Sequence, residues 1–159
     1  MSDYQSLASA VETTLGADAW LGDRNNVRTI EVHARGFDIS EQKDPLFIDP
    51  SDLPALVINP NAVKKNQEGT ATNEILDIVT VQVATVTRHR DPRSGLTDHY
   101  AIIKNLEAVL DKQKSSANDL GIDAYVRQAG TTDPEIQKKG DYYFFTSFTE
   151  AVVELTTTF

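Results

Sequence analysis

Three arginines lie close together at one junction in this sequence. Arg88, Arg90 and Arg93 fall within the stretch RHRDPRSG, which separates a strand-like run from a helix-like run. A guanidinium group offers a planar fork of N–H donors, so it can bind a carboxylate, a phosphate or an aromatic ring. The 159-residue chain carries a formal net charge of −9, so this local positive charge calls for a structural or functional reason.

The junction has three interpretations. It is an exposed turn between two elements, a contact for a protein partner, or a contact for phosphate through the arginines and the helix N-terminus. Asp91 lies inside the cluster and lowers its formal charge, which disfavours phosphate. We rank the exposed turn first, the partner second and the phosphate third, and take Arg88, Arg90 and Arg93 as candidate partner-interface residues.

The other residues form no pattern typical of catalysis or of a cofactor site. The sequence has no cysteine, and His33, His89 and His99 stand in no HExxH or related metal-binding motif. No phosphate-binding loop, dinucleotide-binding motif or GxSxG elbow occurs. His99 falls on the apolar face of a predicted helix, which favours a packed side chain. The sequence therefore predicts no enzyme, no cofactor and no metal site.

The elements that must position the arginines predict an α+β fold. Apolar spacing indicates a helix over 3–15 and another over about 97–113, with Ser94 or Thr97 as its N-cap. Strands are predicted at 27–34, 55–58, 75–87, 122–129 and 142–159. This order favours one domain, residues 1–159, with two main helices packed on a mixed or antiparallel sheet.

Three polar stretches are predicted to be mobile loops. The first, at about 38–54, is acidic and rich in proline, the second, 61–73, lacks periodicity, and the third, 130–140, is rich in turn residues. No apolar run approaches the length of about 20 residues that spans a bilayer. We therefore expect no membrane partner.

The C-terminal run, 142–159, is long for a strand in a domain of this size. At ~3.3 Å per residue it would reach roughly 60 Å, whereas a compact domain of this size has a diameter of roughly 40 Å. Two outcomes are compatible with this length, a bulge near Thr146–Thr149 or an end that projects as an arm. We expect 142–149 in the core and about 154–159 at an edge or on a neighbouring subunit. Leu155 and Phe159 are therefore candidate interface residues.

The order of these elements resembles a known family. The helix SLASAVETTLG, the strand DLPALVI, the strand and helix at 75–113 and the closing YYFFTSFTEAVVEL are similar to the tail terminator, or tail completion, proteins of tailed bacteriophages. The match covers most of the chain and is one of pattern and order. Its best parts are the LPALVI strand and the strand–loop–helix unit.

This resemblance implies a structural virion protein. Members of the family form a ring, commonly six-fold, at the head-proximal end of the tail tube, where they end tube polymerisation and dock the head connector. The implied partners are further copies of the chain, the tube protein and the connector, with double-stranded DNA passing through the lumen without specific binding. An acidic lumen wall would keep that polyanion from adhering. The protein would be made in the host cytoplasm and lie in the virion neck.

Two other interpretations stay open. Another neck or tail component, such as a head-closure or tube-adaptor protein, would have a similar fold. An interaction module unrelated to phages would equally lack a catalytic pattern. Negative-stain images of the purified protein, showing a ring or none, separate the first of these classes from the second.

Overall fold

A computed structural model describes residues 4–33, 48–60, 63–71, 74–115 and 117–158. Two helices, seven strands and one short 3-10 helix at Pro50–Asp52 occur in these ranges. The elements in chain order are α1 (Tyr4–Ala17), β1 (Thr29–Val32), β2 (Ala55–Ile58), β3 (Val63–Ala71), β4 (Glu74–His89), α2 (Pro92–Asp111), β5 (Ala124–Thr131), β6 (Glu135–Lys139) and β7 (Tyr142–Thr158).

All the described strands belong to one mixed sheet. Its main path runs β1-β2-β4-β7-β5, while β3 pairs with β4 and β6 pairs with β7. The β1–β2 pairing is parallel and the other pairings are antiparallel. The predicted α+β class, one domain with two helices on a mixed sheet, is confirmed.

Both helices cover the same face of the sheet. Their apolar stripes and the odd-numbered side chains of β4 form one core, which includes Leu7, Val11, Leu15, Val79, Val81, Val83, Ile102 and Leu106. The opposite face carries a smaller cluster, built from Ala55, Val57, Ala84 and Phe148 with Ile48 and Leu53 packed against it. Because β4 alternates its side chains between two apolar clusters, it is buried on both faces.

The two longest strands, β4 and β7, pair along their whole length. Their register runs from Glu74 opposite Thr158 to His89 opposite Tyr143 without a shift. The first alternative, a bulge near Thr146–Thr149, is therefore absent from the β4–β7 ladder. β7 needs no bulge because β4, with 16 residues against the 17 of β7, is a partner strand of almost the same length.

Two of the predicted loops contain strands. β3 occupies most of 61–73, and β5 and β6 occupy most of 130–140, so the prediction of mobile loops is wrong for these ranges. β3 lacks apolar alternation and is a strand because its backbone pairs with β4, with irregularities between Lys64 and Asn66 and between Gly69 and Ala71. Of the acidic loop at about 38–54, residues 38–47 lie outside the described ranges.

Candidate interaction surface

The predicted arginine loop is a tight junction between β4 and α2. Asp91 is the N-cap of α2, and its carboxylate accepts hydrogen bonds from Ser94 N at 2.9 Å and Ser94 Oγ at 2.7 Å. Pro92 takes the first helical position, where a missing N–H costs nothing. The expected N-cap at Ser94 or Thr97 is therefore wrong, and α2 begins earlier than predicted.

The cap keeps a negative charge among the arginines. Hydrogen bonds from the Ser94 hydroxyl and then from the Ser94 amide hold the pKa of Asp91 below its ordinary value. On the strand side, His89 Nδ1 accepts the amide N–H of Asp91 at 2.9 Å. The junction is thus fixed by bonds from both of the elements that it connects.

The three arginines occupy three different settings in this junction. Arg88 is half-buried near the end of β4, Arg90 is exposed in the bend, and Arg93 is exposed in the first turn of α2. Arg88 Cζ lies 4.5 Å and Arg90 Cζ 5.2 Å from the centre of the Tyr142 ring. We call Arg88, Arg90, Arg93 and Tyr142 the arginine surface. Arg88 belongs to a strand, so the expectation that all three lie in a loop is wrong.

The contribution of β7 to this surface was missed by the sequence reasoning. Tyr142 and Tyr143 begin β7, and Lys138 Nζ of β6 lies 5.5 Å from the centre of the Tyr143 ring. Such cation–π contacts stabilise by about 0.5–1 kcal/mol each at exposed sites. A strand was predicted from residue 142, but nothing in the sequence indicates that the first residues of that strand lie beside the arginines.

A cleft of about 260 Å³ opens beside Arg88. Trp20, Pro54, Arg88, Asp98 and Ala101 are among the residues that line it. Pockets for small ligands usually measure about 300–1,000 Å³, so this cleft is better suited to one side chain of a protein partner. Its lining combines an aromatic ring, a cation and a carboxylate, which are groups that anchor partner side chains.

His99 is a packed histidine, as its place on the apolar helix face predicted. It is fully buried, and its Nδ1 lies 2.8 Å from Thr87 Oγ1 while its Nε2 lies 2.8 Å from Ser147 Oγ. Burial lowers the pKa of His99 to about 4, so the ring is neutral near pH 7. One ring nitrogen donates and the other accepts, and the side chain ties α2 to β4 and β7 behind the arginine surface.

The proposed interface residues at the C-terminus divide into two cases. Leu155 is fully buried in the main core and pairs with both Asp77 and Ala124, so its prediction as an interface residue is wrong. The terminal part of β7 continues the central ladder with β4, which is why Leu155 stays in the core. Phe159 lies outside the described residues.

No family model matches the chain, and no curated protein matches it. In the described ranges no cluster of histidine and acidic side chains could hold a metal ion. Neither described helix combines the length and the apolar character needed to cross a membrane.

Proposed function

We propose that this protein is a virion structural subunit that forms a ring at the head-proximal end of a phage tail tube. In this role it ends tube polymerisation and offers the head connector a docking surface. The observation that carries the proposal is the arginine surface, which the fold fixes at one end of the central β4–β7 pair. The order of elements around it is the order on which the resemblance to tail terminator proteins rests.

The composition of the surface supports a protein partner over a polyphosphate. Arginine and tyrosine are enriched in protein interfaces, where each supplies a large contact area with fixed geometry. Asp91 and Asp98 lie beside the cations, and such alternation of charge fits a partner surface that also carries both signs. Arg90 and Arg93 are exposed residues and are therefore the arginines best placed to contact that partner.

Ring formation requires a contact that joins two different surfaces of neighbouring subunits. Such heterologous contacts close into rings when the rotation between subunits divides a full turn. A chain with a net charge of −9 is suited to line a passage for DNA, because like charge keeps the polyanion from binding. The face that lines the passage would be an acidic one.

Electron microscopy with light scattering tests the proposal. We expect rings of the purified protein, or rings formed at one end of purified tail tubes, and we expect tubes to stop growing after the protein is added. A strict monomer that also leaves tube growth unchanged would contradict the proposal. Rings that bind connector but not tubes would favour a head-closure protein instead.

The double variant Arg90→Ala/Arg93→Ala should weaken attachment to tube or connector while the protein stays folded. Both side chains are exposed, and exposed charges usually change stability by no more than about 0.5 kcal/mol each. The matched control is Lys104→Ala/Lys112→Ala, which removes the same charge from exposed positions elsewhere on α2 and just after it. If the two double variants lose attachment equally, charge alone matters. If the arginine variant attaches as well as the wild type, the arginines are not interface residues, and if it fails to fold, they are structural.

A further inference from the structure

β6 is an outer strand whose backbone pattern is set by its turn. β6 and β7 are joined through Gly140 and Asp141, with Lys139 opposite Tyr142 as the innermost pair and a φ of 61° at Gly140. A two-residue hairpin with glycine first is a type II′ turn, and it closes on a hydrogen-bonded pair. Since antiparallel pairs alternate, Ile136 and Lys138 must direct their N–H and C=O groups away from β7.

No described strand occupies that outer side of β6. β6 pairs with β7 alone among the described strands. Other outer strands have partners at their edges: Val32 N of β1 donates to Glu12 of α1 at 2.8 Å, and Val126 N of β5 donates to Gln113 O at 2.7 Å. The β6 edge also carries Ile136, whose side chain is 49% exposed. An exposed strand edge with an apolar side chain is a template for strand addition.

We propose that the β6 edge binds β6 of a second copy of this chain, antiparallel, about a two-fold axis at Gln137. In this register Ile136 of each copy lies opposite Lys138 of the other. Both residues direct their N–H and C=O groups outward, so each such pair can exchange two backbone hydrogen bonds. The result is one sheet continuous across both copies, with the helices of both on the same face.

The charges of the strand are complementary in this register. The sequence of β6 is EIQKK, so Glu135 of each copy lies opposite Lys139 of the other, and opposite charges across strands are favourable. Moving the two-fold axis from Gln137 toward the turn would place Lys138 of one copy opposite Lys138 of the other, and these like charges repel. Moving the axis the other way would bring Pro134, which has no N–H, opposite Lys138. Like charge at Lys138 thus disfavours the first alternative register and Pro134 disfavours the second, which leaves the register with Glu135 opposite Lys139.

The apolar contacts on the helix side fit the same pairing. Ile136 lies opposite Phe145 in the hairpin, and the aliphatic stem of Lys138 from the second copy would cover its exposed part. Tyr100, 48% exposed, lies two turns before Glu107, which accepts a hydrogen bond from Thr131 of β5. Tyr100 is therefore on the side of α2 that faces β5, the strand that precedes β6 along the same edge of β7, where the second copy would approach.

A cysteine cross-link tests the two-fold register. The chain has no cysteine, so Gln137→Cys introduces a single thiol. At the axis, a non-hydrogen-bonded pair has Cα atoms about 4.5 Å apart, within the range for a disulfide. We expect a disulfide-linked dimer on mild oxidation. The control Glu135→Cys places its thiols about 13 Å apart along the strands and should stay monomeric on a non-reducing gel. No dimer with Gln137→Cys, or equal dimer with both variants, would overturn the proposal.

Exchanging the charges of Glu135 and Lys139 tests whether these two residues lie opposite each other in the β6–β6 contact. Glu135→Lys and Lys139→Glu each place two like-charge pairs in the dimer, so each should weaken self-association by about tenfold or more in sedimentation experiments. Mixing the two variants, or combining both changes in one chain, restores opposite charges and should restore association. A monomeric wild-type protein, or a mixture that associates no better than either variant, would contradict the proposal.

This contact is independent of the ring. A two-fold contact uses the same surface on both subunits, whereas neighbours in a cyclic ring use two different surfaces. The Gln137→Cys cross-link therefore reports only on the two-fold contact. If free subunits dimerise through β6 but never form rings, the proposed function fails while the inference stands. If rings form but Gln137→Cys gives no cross-linked dimer, the inference fails while the proposed function stands.

Discussion

Replacing His99 with alanine is expected to lower the free energy of unfolding by about 3–5 kcal/mol. The side chain is fully buried, so its removal leaves a cavity between α2 and the sheet. It also takes the hydrogen-bond partner from Thr87 and Ser147, each now held at 2.8 Å. Urea denaturation followed by circular dichroism measures this change directly.

His99→Gln is the matched control. An amide can both donate and accept, so it can satisfy one or both hydroxyl groups and fills part of the space. We expect it to cost clearly less than alanine. A loss below about 1 kcal/mol for His99→Ala would show that the hydrogen bonds and the packing of this histidine contribute little.

The same histidine should make stability depend on pH. Burial lowers the pKa of His99 from 6.5 to about 4, so the unfolded chain binds this proton more tightly than the folded protein. The contribution of His99 to the free energy of unfolding is fully present above about pH 6.5. It decreases by about 3 kcal/mol as the pH falls from there to about 4. Below it both states are protonated and this contribution stays constant. The His99→Gln variant should lack this decline, and parallel pH profiles of the two proteins would refute its assignment to His99.

Gly95→Ala is the second change with a large expected effect, a loss of about 1–3 kcal/mol. A Cβ atom at Gly95 would lie 2.6 Å from Phe145 Cε2 and 2.7 Å from His89 Cβ. Phe145 is fully buried, and the Cβ of His89 is fixed to the backbone of β4. Neither neighbour can move away easily, so the start of α2 would have to shift off the sheet.

Gly16→Ala provides the control for Gly95→Ala. Gly16 lies in α1, and a Cβ there meets no atom within 4 Å. Alanine is preferred over glycine in helices by about 1 kcal/mol, so this variant should melt at a higher temperature than the wild type. If both variants shift the melting temperature in the same direction, the close approach at Gly95 does not control the docking of α2.

The sequence predicted the elements whose apolar pattern is strong. β2 was placed at its observed bounds, and β4 and α2 were found because β-branched alternation and helical spacing persist along them. The junction between the last two was misplaced because Asp91–Pro92 was read as part of a loop. An aspartate followed by proline is a good helix start, with the carboxylate as cap and the proline at the first position.

The elements that the sequence did not predict are those stabilised by their neighbours. Between Val63 and Ala71 at its ends, β3 has no apolar side chain, and pairing with the backbone of β4 makes it a strand. The assignment of Leu155 to an interface failed for a similar reason, since pairing with β4 and β5 makes this part of β7 a central strand, and its side chain packs in the main core. Of the candidate surface, Arg88, Arg90 and Arg93 were identified from spacing, while Tyr142 required knowledge of which strand ends beside them.

The central position of β7 has a consequence for how the chain folds during synthesis. The β3–β4 and β6–β7 hairpins join residues close in sequence, whereas the ladder between β4 and β7 joins Glu74 to Thr158. Local hairpins form in microseconds, and distant strands pair far more slowly. One long edge of β4 therefore remains uncovered until β7 has emerged from the ribosome. During that interval nascent chains can pair with one another, so the yield of native protein should depend on chaperones and on a low rate of translation initiation.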